Sequence, residues 1–152
     1  MKNQIAFILF AILFVLAGCE KDENENEYLV SENFSDESHN TGQDCMECHV
    51  AGGDADGWFT VAGSVYDPQL EEPVENGVIE LTTEAQSEGS IIATIEIDAN
   101  GNFYTTEPII IADGLYATVE SQKGNKEYML TQVTNGSCNS CHGESTDKIW
   151  VD

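Results

Sequence analysis

The stretch IIATIEIDANGNFYTT, residues 91–106, decides the fold class. Ile91–Ile97 and Phe103–Thr106 are short runs rich in Ile, Thr, Phe and Tyr, side chains that suit a pleated, half-buried surface. Between them stands Asp98-Ala99-Asn100-Gly101, whose Asn-Gly pair accepts the positive φ angles of a tight hairpin turn. The same texture continues on both sides. Phe59–Tyr66, Gly77–Thr82, Tyr116–Glu120 and Tyr128–Val133 bring the expected strands to six, bounded by Gly, Asn, Asp or Pro turns. Short strands at this spacing predict a mostly β domain over 58–134, a small Greek-key β-sandwich with irregular segments at both ends.

The flanking segments, 45–57 and 135–152, carry the chemistry. Cys45-Met46-Glu47-Cys48-His49 and Cys138-Asn139-Ser140-Cys141-His142 are two copies of C-x-x-C-H. Two thiols at that spacing can add to the two vinyl groups of one porphyrin, and the adjacent His offers an axial nitrogen to its iron. Only three His occur in the chain, and two of them stand directly after the two Cys pairs. The motifs resemble the haem-attachment motif of c-type cytochromes. That resemblance implies two covalently bound c-type haems, one on Cys45 and Cys48 with His49, the other on Cys138 and Cys141 with His142. It implies an electron carrier rather than an enzyme.

Other readings share the same residues. Two C-x-x-C pairs can bind zinc or close as short disulfides, either of which would make a non-redox, tethered binding module. One open haem iron would suit a peroxidase-like enzyme, although no acid–base residue stands out beside it.

The cytochrome resemblance covers two pentapeptides and not a cytochrome fold, since no helical module follows either motif. Distal ligands must come from elsewhere. With His49 and His142 used, His39 is the one spare His, so at most one haem in a monomer can be bis-His ligated. His39, six residues before Cys45, and Met129, nine before Cys138, are the candidates. Strand parity adds a geometric expectation. Six alternating strands bring both motifs to the same end of the sandwich, whereas a seventh at Ile109-Ile110-Ile111 would separate them.

The domain between the motifs resembles the carboxypeptidase regulatory-like, transthyretin-related domain. Val61-Ala62-Gly63-Ser64-Val65-Tyr66-Asp67 and Pro73-Val74-Glu75-Asn76-Gly77-Val78 match its opening pattern. Thr94, Asp98, Gly101 and Phe103, then Gly114-Leu115-Tyr116, match its later one. The resemblance implies a scaffold without catalysis of its own. No Gly-rich phosphate loop or Ser–His pairing contradicts this. Asp54-Ala55-Asp56-Gly57 lacks the Glu that a calcium loop needs and reads as a hinge.

The N-terminus reads as an address. Lys2 precedes the apolar run Ile5–Leu16, too short to span a bilayer and right for a signal-peptide core. Leu16-Ala17-Gly18-Cys19 resembles the lipobox of bacterial lipoproteins. That implies a signal peptide over 1–18 and a lipid anchor on Cys19, which attaches the protein to a membrane. Residues 19–44 read as an acidic, disordered tether. Lys21-Asp22-Glu23 resembles the surface-export signal of some Gram-negative lipoproteins, so the expected place is the outer membrane, on its periplasmic side or the cell surface.

Charge fixes the expected partners. Five Lys and Arg against 28 Asp and Glu give a net charge of −23, which excludes nucleic acid and favours redox partner proteins with basic patches.

Overall fold

A computed structural model describes residues 26–111 and 114–152. The signal peptide, Cys19 and Lys21-Asp22-Glu23 lie outside the described residues. No helix among the described residues is long and apolar enough to cross a membrane.

Among the described residues, seven strands form two sheets. They are β1 (Val61–Tyr66), β2 (Val78–Thr82), β3 (Ile91–Glu96), β4 (Asn102–Thr105), β5 (Tyr116–Glu120), β6 (Lys126–Tyr128) and β7 (Ile149–Trp150). One sheet has the order β4-β1-β7 and the other β3-β2-β5-β6. All pairings are antiparallel except β1 with β7. The neighbours β1–β4 and β2–β5 are not consecutive in the chain, which is the crossover habit of a Greek-key sandwich. Between the sheets, Val61, Val65, Phe103 and Val151 pack against Ile79, Leu81, Ile95, Ile97, Leu115 and Val119. The expected mostly β sandwich is the observed fold.

The turn at 98–101 is not a hairpin. Among the strands, β3 pairs only with β2 and β4 only with β1, so the turn is an arch that carries the chain from one sheet to the other. The cause is local. Asp98 Oδ1 accepts the backbone N–H of Asn100 and of Asn102, both at 2.9 Å, and an Asx turn of this kind competes with a hairpin ladder. A type I′ hairpin needs positive φ at both central residues, and here Gly101, at 78°, is positive while Asn100 is not.

Two further expectations change. The strand expected over 128–133 is instead Lys126–Tyr128, where Lys126 bridges Glu80 at 3.3 Å and Glu120 at 2.8 Å. The acidic segment 26–44, expected to be part of a disordered tether, is docked along the edge of β4. Ser31 N–H donates to the Tyr104 carbonyl and Thr106 N–H to the Leu29 carbonyl, each at 2.9 Å, and Val30 bridges Thr105. The strap is held by backbone pairing and side-chain amides rather than by apolar burial, which is why its composition reads as disordered.

Candidate functional site

Each C-x-x-C-H motif opens with one 3-10 turn, Cys45–Glu47 in the first and Cys138–Ser140 in the second. The two turns repeat one another atom for atom in their main hydrogen bonds. His49 N–H donates to the Cys45 carbonyl at 3.0 Å, and His142 N–H to the Cys138 carbonyl at 2.9 Å. The leading thiols do the same: Cys45 Sγ lies 3.8 Å from the Gln43 carbonyl and Cys138 Sγ 3.6 Å from that of Gly136. In both motifs the second cysteine is exposed and the first is partly buried, and all four are free thiols.

The imidazoles are also held alike. His49 Nδ1 lies 3.0 Å from the Asp56 carbonyl and 3.2 Å from that of Gly57. His142 Nδ1 lies 2.8 Å from the Asp147 carbonyl. A carbonyl only accepts, so the proton must sit on Nδ1, and the lone pair of Nε2 is left free to bind a metal. The segment Asp54–Gly57, read from sequence as a hinge, thus supplies the carbonyls that orient His49. Phe59 stacks on the His49 ring, with centroids 4.2 Å apart and planes at 15°, and fixes its pitch.

The motifs lie together on β1. Six strands lie between them, and Ile109–Ile111 forms none, contributing Ile109 and Ile111 to core packing instead. Ala62 N–H donates to the Gly136 carbonyl at 2.9 Å, which places the second motif beside the strand. Asn139, between the second pair of cysteines, accepts from Ser64 N–H at 3.1 Å and donates to the Gln43 carbonyl at 2.9 Å. Asp44 Oδ1 caps the first turn by accepting Met46 N–H at 3.1 Å, and it also accepts the Ser137 hydroxyl at 2.5 Å. Ser64 and Asn139 are buried, so these bonds form a dry clamp between motifs distant in sequence.

Beside the second motif the sandwich opens into a cavity of about 420 Å³. Val61, Leu81 and Phe103 line its floor, and Cys138, His142 and Met129 border it. This volume falls in the range of small-molecule sites, roughly 300–1,000 Å³. Met129, a sequence candidate, therefore shares a cavity with His142. The other candidate, His39, lies beside His49 with ring centroids 6.1 Å apart.

Burial raises the pKa of both leading thiols. Burial chiefly pushes Cys138 up to about 12, with Cys45, Asp44 and Cys141 adding to it. Cys45 is raised by burial first and by Asp44 and Asp98 second, against a lowering backbone hydrogen bond. Among the described residues, no three His, Cys, Asp or Glu converge as a metal-binding set.

Sequence reasoning found the motif residues but not Asn139, Ser64, Phe59 or the carbonyls of Asp56 and Asp147. Backbone acceptors carry no side-chain signature. Asn139 sits at a variable position within its motif, where nothing in the pattern marks it.

Comparison of the chain with family models, with curated proteins and with solved structures yields no match.

Proposed function

We propose that the chain is a membrane-anchored, dihaem c-type electron-transfer protein. The observation that carries this reading is the shared way in which the two imidazoles are held. Each has Nδ1 bound to a loop carbonyl and Nε2 free, at the end of a C-x-x-C turn with free thiols. Haem asks of the protein one axial nitrogen and two thioethers at each motif, and the residues present fit that demand. A tetrahedral zinc site asks for four convergent donors, which the described residues do not bring together.

Cys45 and Cys48 would hold one haem and Cys138 and Cys141 the other. Each S–H would add across a vinyl C=C, forming one S–C bond and placing the proton on the neighbouring carbon, without an oxidant. Bound haem supplies a one-electron ferric/ferrous couple. The four motif cysteines are free, which leaves both sulfurs of each pair available for such addition. His49 and His142 would be held in orientation by their carbonyl bonds. The cavity borders the second site, and Met129 would offer it a thioether.

The sandwich, with its resemblance to carboxypeptidase regulatory-like domains, serves as the scaffold, and Cys19 as the lipid anchor to the outer membrane. The net charge of −23 favours partners with basic patches. A redox titration of the matured protein, followed by visible absorbance, tests the reading. Two reversible one-electron couples are expected, and a protein with no redox-active band contradicts it.

A further inference from the structure

His39 lies on the docked strap, exposed, and makes no hydrogen bond or ion pair among the described residues, while the backbone around it is pinned. Asn100 Nδ2 donates to the carbonyls of Asp36 at 3.1 Å and Ser38 at 3.0 Å. Asn102 Nδ2 donates to the hydroxyls of Ser38 at 2.8 Å and Thr41 at 2.9 Å. Both amides belong to the arch at 98–102, which Asp98 closes. A segment with fixed ends and a spare imidazole is how a ligand is presented, since ordering the main chain in advance lowers the entropy lost on binding.

The position of that imidazole is specific. Its ring centroid is 6.1 Å from that of His49, with the planes tilted by 40°. An imidazole nitrogen sits about 2 Å from a first-row metal, and adding the nitrogen-to-centroid distance on both sides separates two such rings by roughly 6 to 6.5 Å. The observed spacing already matches. Phe59 stacks on the His49 ring, and His39 is the imidazole beside it. The second site has no such companion. All three His of the chain are then used, and the cavity beside His142 offers the thioether of Met129.

We propose that His39 is the second axial ligand of the first site, so that the two haem sites are chemically unequal: bis-imidazole at His49, and single-imidazole at His142. The proposal rests on the dihaem reading above and assigns its ligands. The arch at Asp98–Asn102 is then a positioning element that holds the strap at the iron.

The test uses the full chain produced in a host that matures c-type cytochromes. Ferric wild type and His39→Ala are compared by intact mass, low-temperature electron paramagnetic resonance and visible absorption. Wild type is expected to give one bis-imidazole low-spin signal per protein. H39A is expected to keep both haems, to lose that signal with one haem turning high-spin, and to regain it on addition of free imidazole. Should H39A not accumulate, His39→Met retains a donor and is expected to replace the bis-imidazole signal with a sulfur-ligated one. A variant with two haems and an unchanged ferric spectrum overturns the assignment of His39 while leaving the dihaem reading intact. Wild type without covalent haem overturns that reading itself.

Discussion

The side-chain amide of Asn139 donates to the main-chain carbonyl of Gln43 at 2.9 Å, across 96 residues of sequence. One of these residues lies inside the second C-x-x-C-H motif and the other stands two residues before the first. Asn139 also accepts the N–H of Ser64 and donates to its hydroxyl at 3.2 Å, so strand β1 is the third member of the clamp. The two motifs are one structural unit, and a change at either should be felt at both.

Asn139→Ala should therefore destabilise the protein by about 1–3 kcal/mol, because it strands the buried partners of the amide. Chemical denaturation of the haem-free chain reads this directly. A midpoint unchanged from wild type would mean that the clamp contributes nothing.

Gly63 faces the core where the second motif docks. A Cβ there would lie 2.6 Å from Phe103 Cζ and 2.9 Å from Cys138 Cβ, closer than packed side chains tolerate. Gly63→Ala should cost about 1–3 kcal/mol by overpacking and should displace the turn at Cys138. Thermal unfolding, together with the fraction of protein carrying haem at the second motif, measures both effects. Full stability with full haem loading would show that the strand has slack there.

The thiols of the haem-free protein should react in a fixed order. At pH 8 an alkylating reagent should label the exposed Cys48 and Cys141 before Cys45 and Cys138. Cys138 keeps its proton in the native state up to about 12, whereas its ordinary value is 9.0. The stability this contributes is fully present below pH 9 and is lost as pH rises toward 12, because the unfolded chain releases the proton first. Cys138→Ala should flatten that alkaline fall. Labelling followed by peptide mass mapping, and denaturation as a function of pH, decide the two points.

Met129→Leu conserves volume at the cavity wall and should change stability by less than about 1.5 kcal/mol. In the haem-loaded protein it removes the one thioether bordering the cavity, so the second iron should bind carbon monoxide or imidazole more readily. The signal of the first site should stay as in wild type. Unchanged ligand uptake at the second site would remove Met129 from the coordination chemistry.

Much of this architecture is legible in the chain, and what is not has identifiable causes. Alternating Val, Ile, Thr and Tyr report their burial on a sheet, so the strands around Val65, Leu81, Ile95 and Val119 were predictable. Asn100-Gly101 misled because the Asp98 carboxylate, two residues upstream of Asn100, captures the N–H groups a hairpin would have used. β7 has only two residues, Ile149 and Trp150, and exists because β1 offers them an edge. The strap at 26–44 looked disordered because composition counts apolar surface, whereas Ser31, Asn100 and Asn102 hold it through polar contacts. At the site, the cysteines and histidines announce themselves by spacing. The contact of His39 with His49 is tertiary and was legible only as a shortage of ligands.

Intact mass combined with a visible spectrum, on protein matured in a host that attaches c-type haem, tests the dihaem assignment. Added mass for two haems and sharp bands on reduction are expected, with Cys45→Ala/Cys48→Ala and Cys138→Ala/Cys141→Ala each losing one haem. A colourless wild-type protein with no added porphyrin mass, its C-x-x-C pairs holding zinc or closed as disulfides, would contradict it and leave a stapled, tethered binding domain.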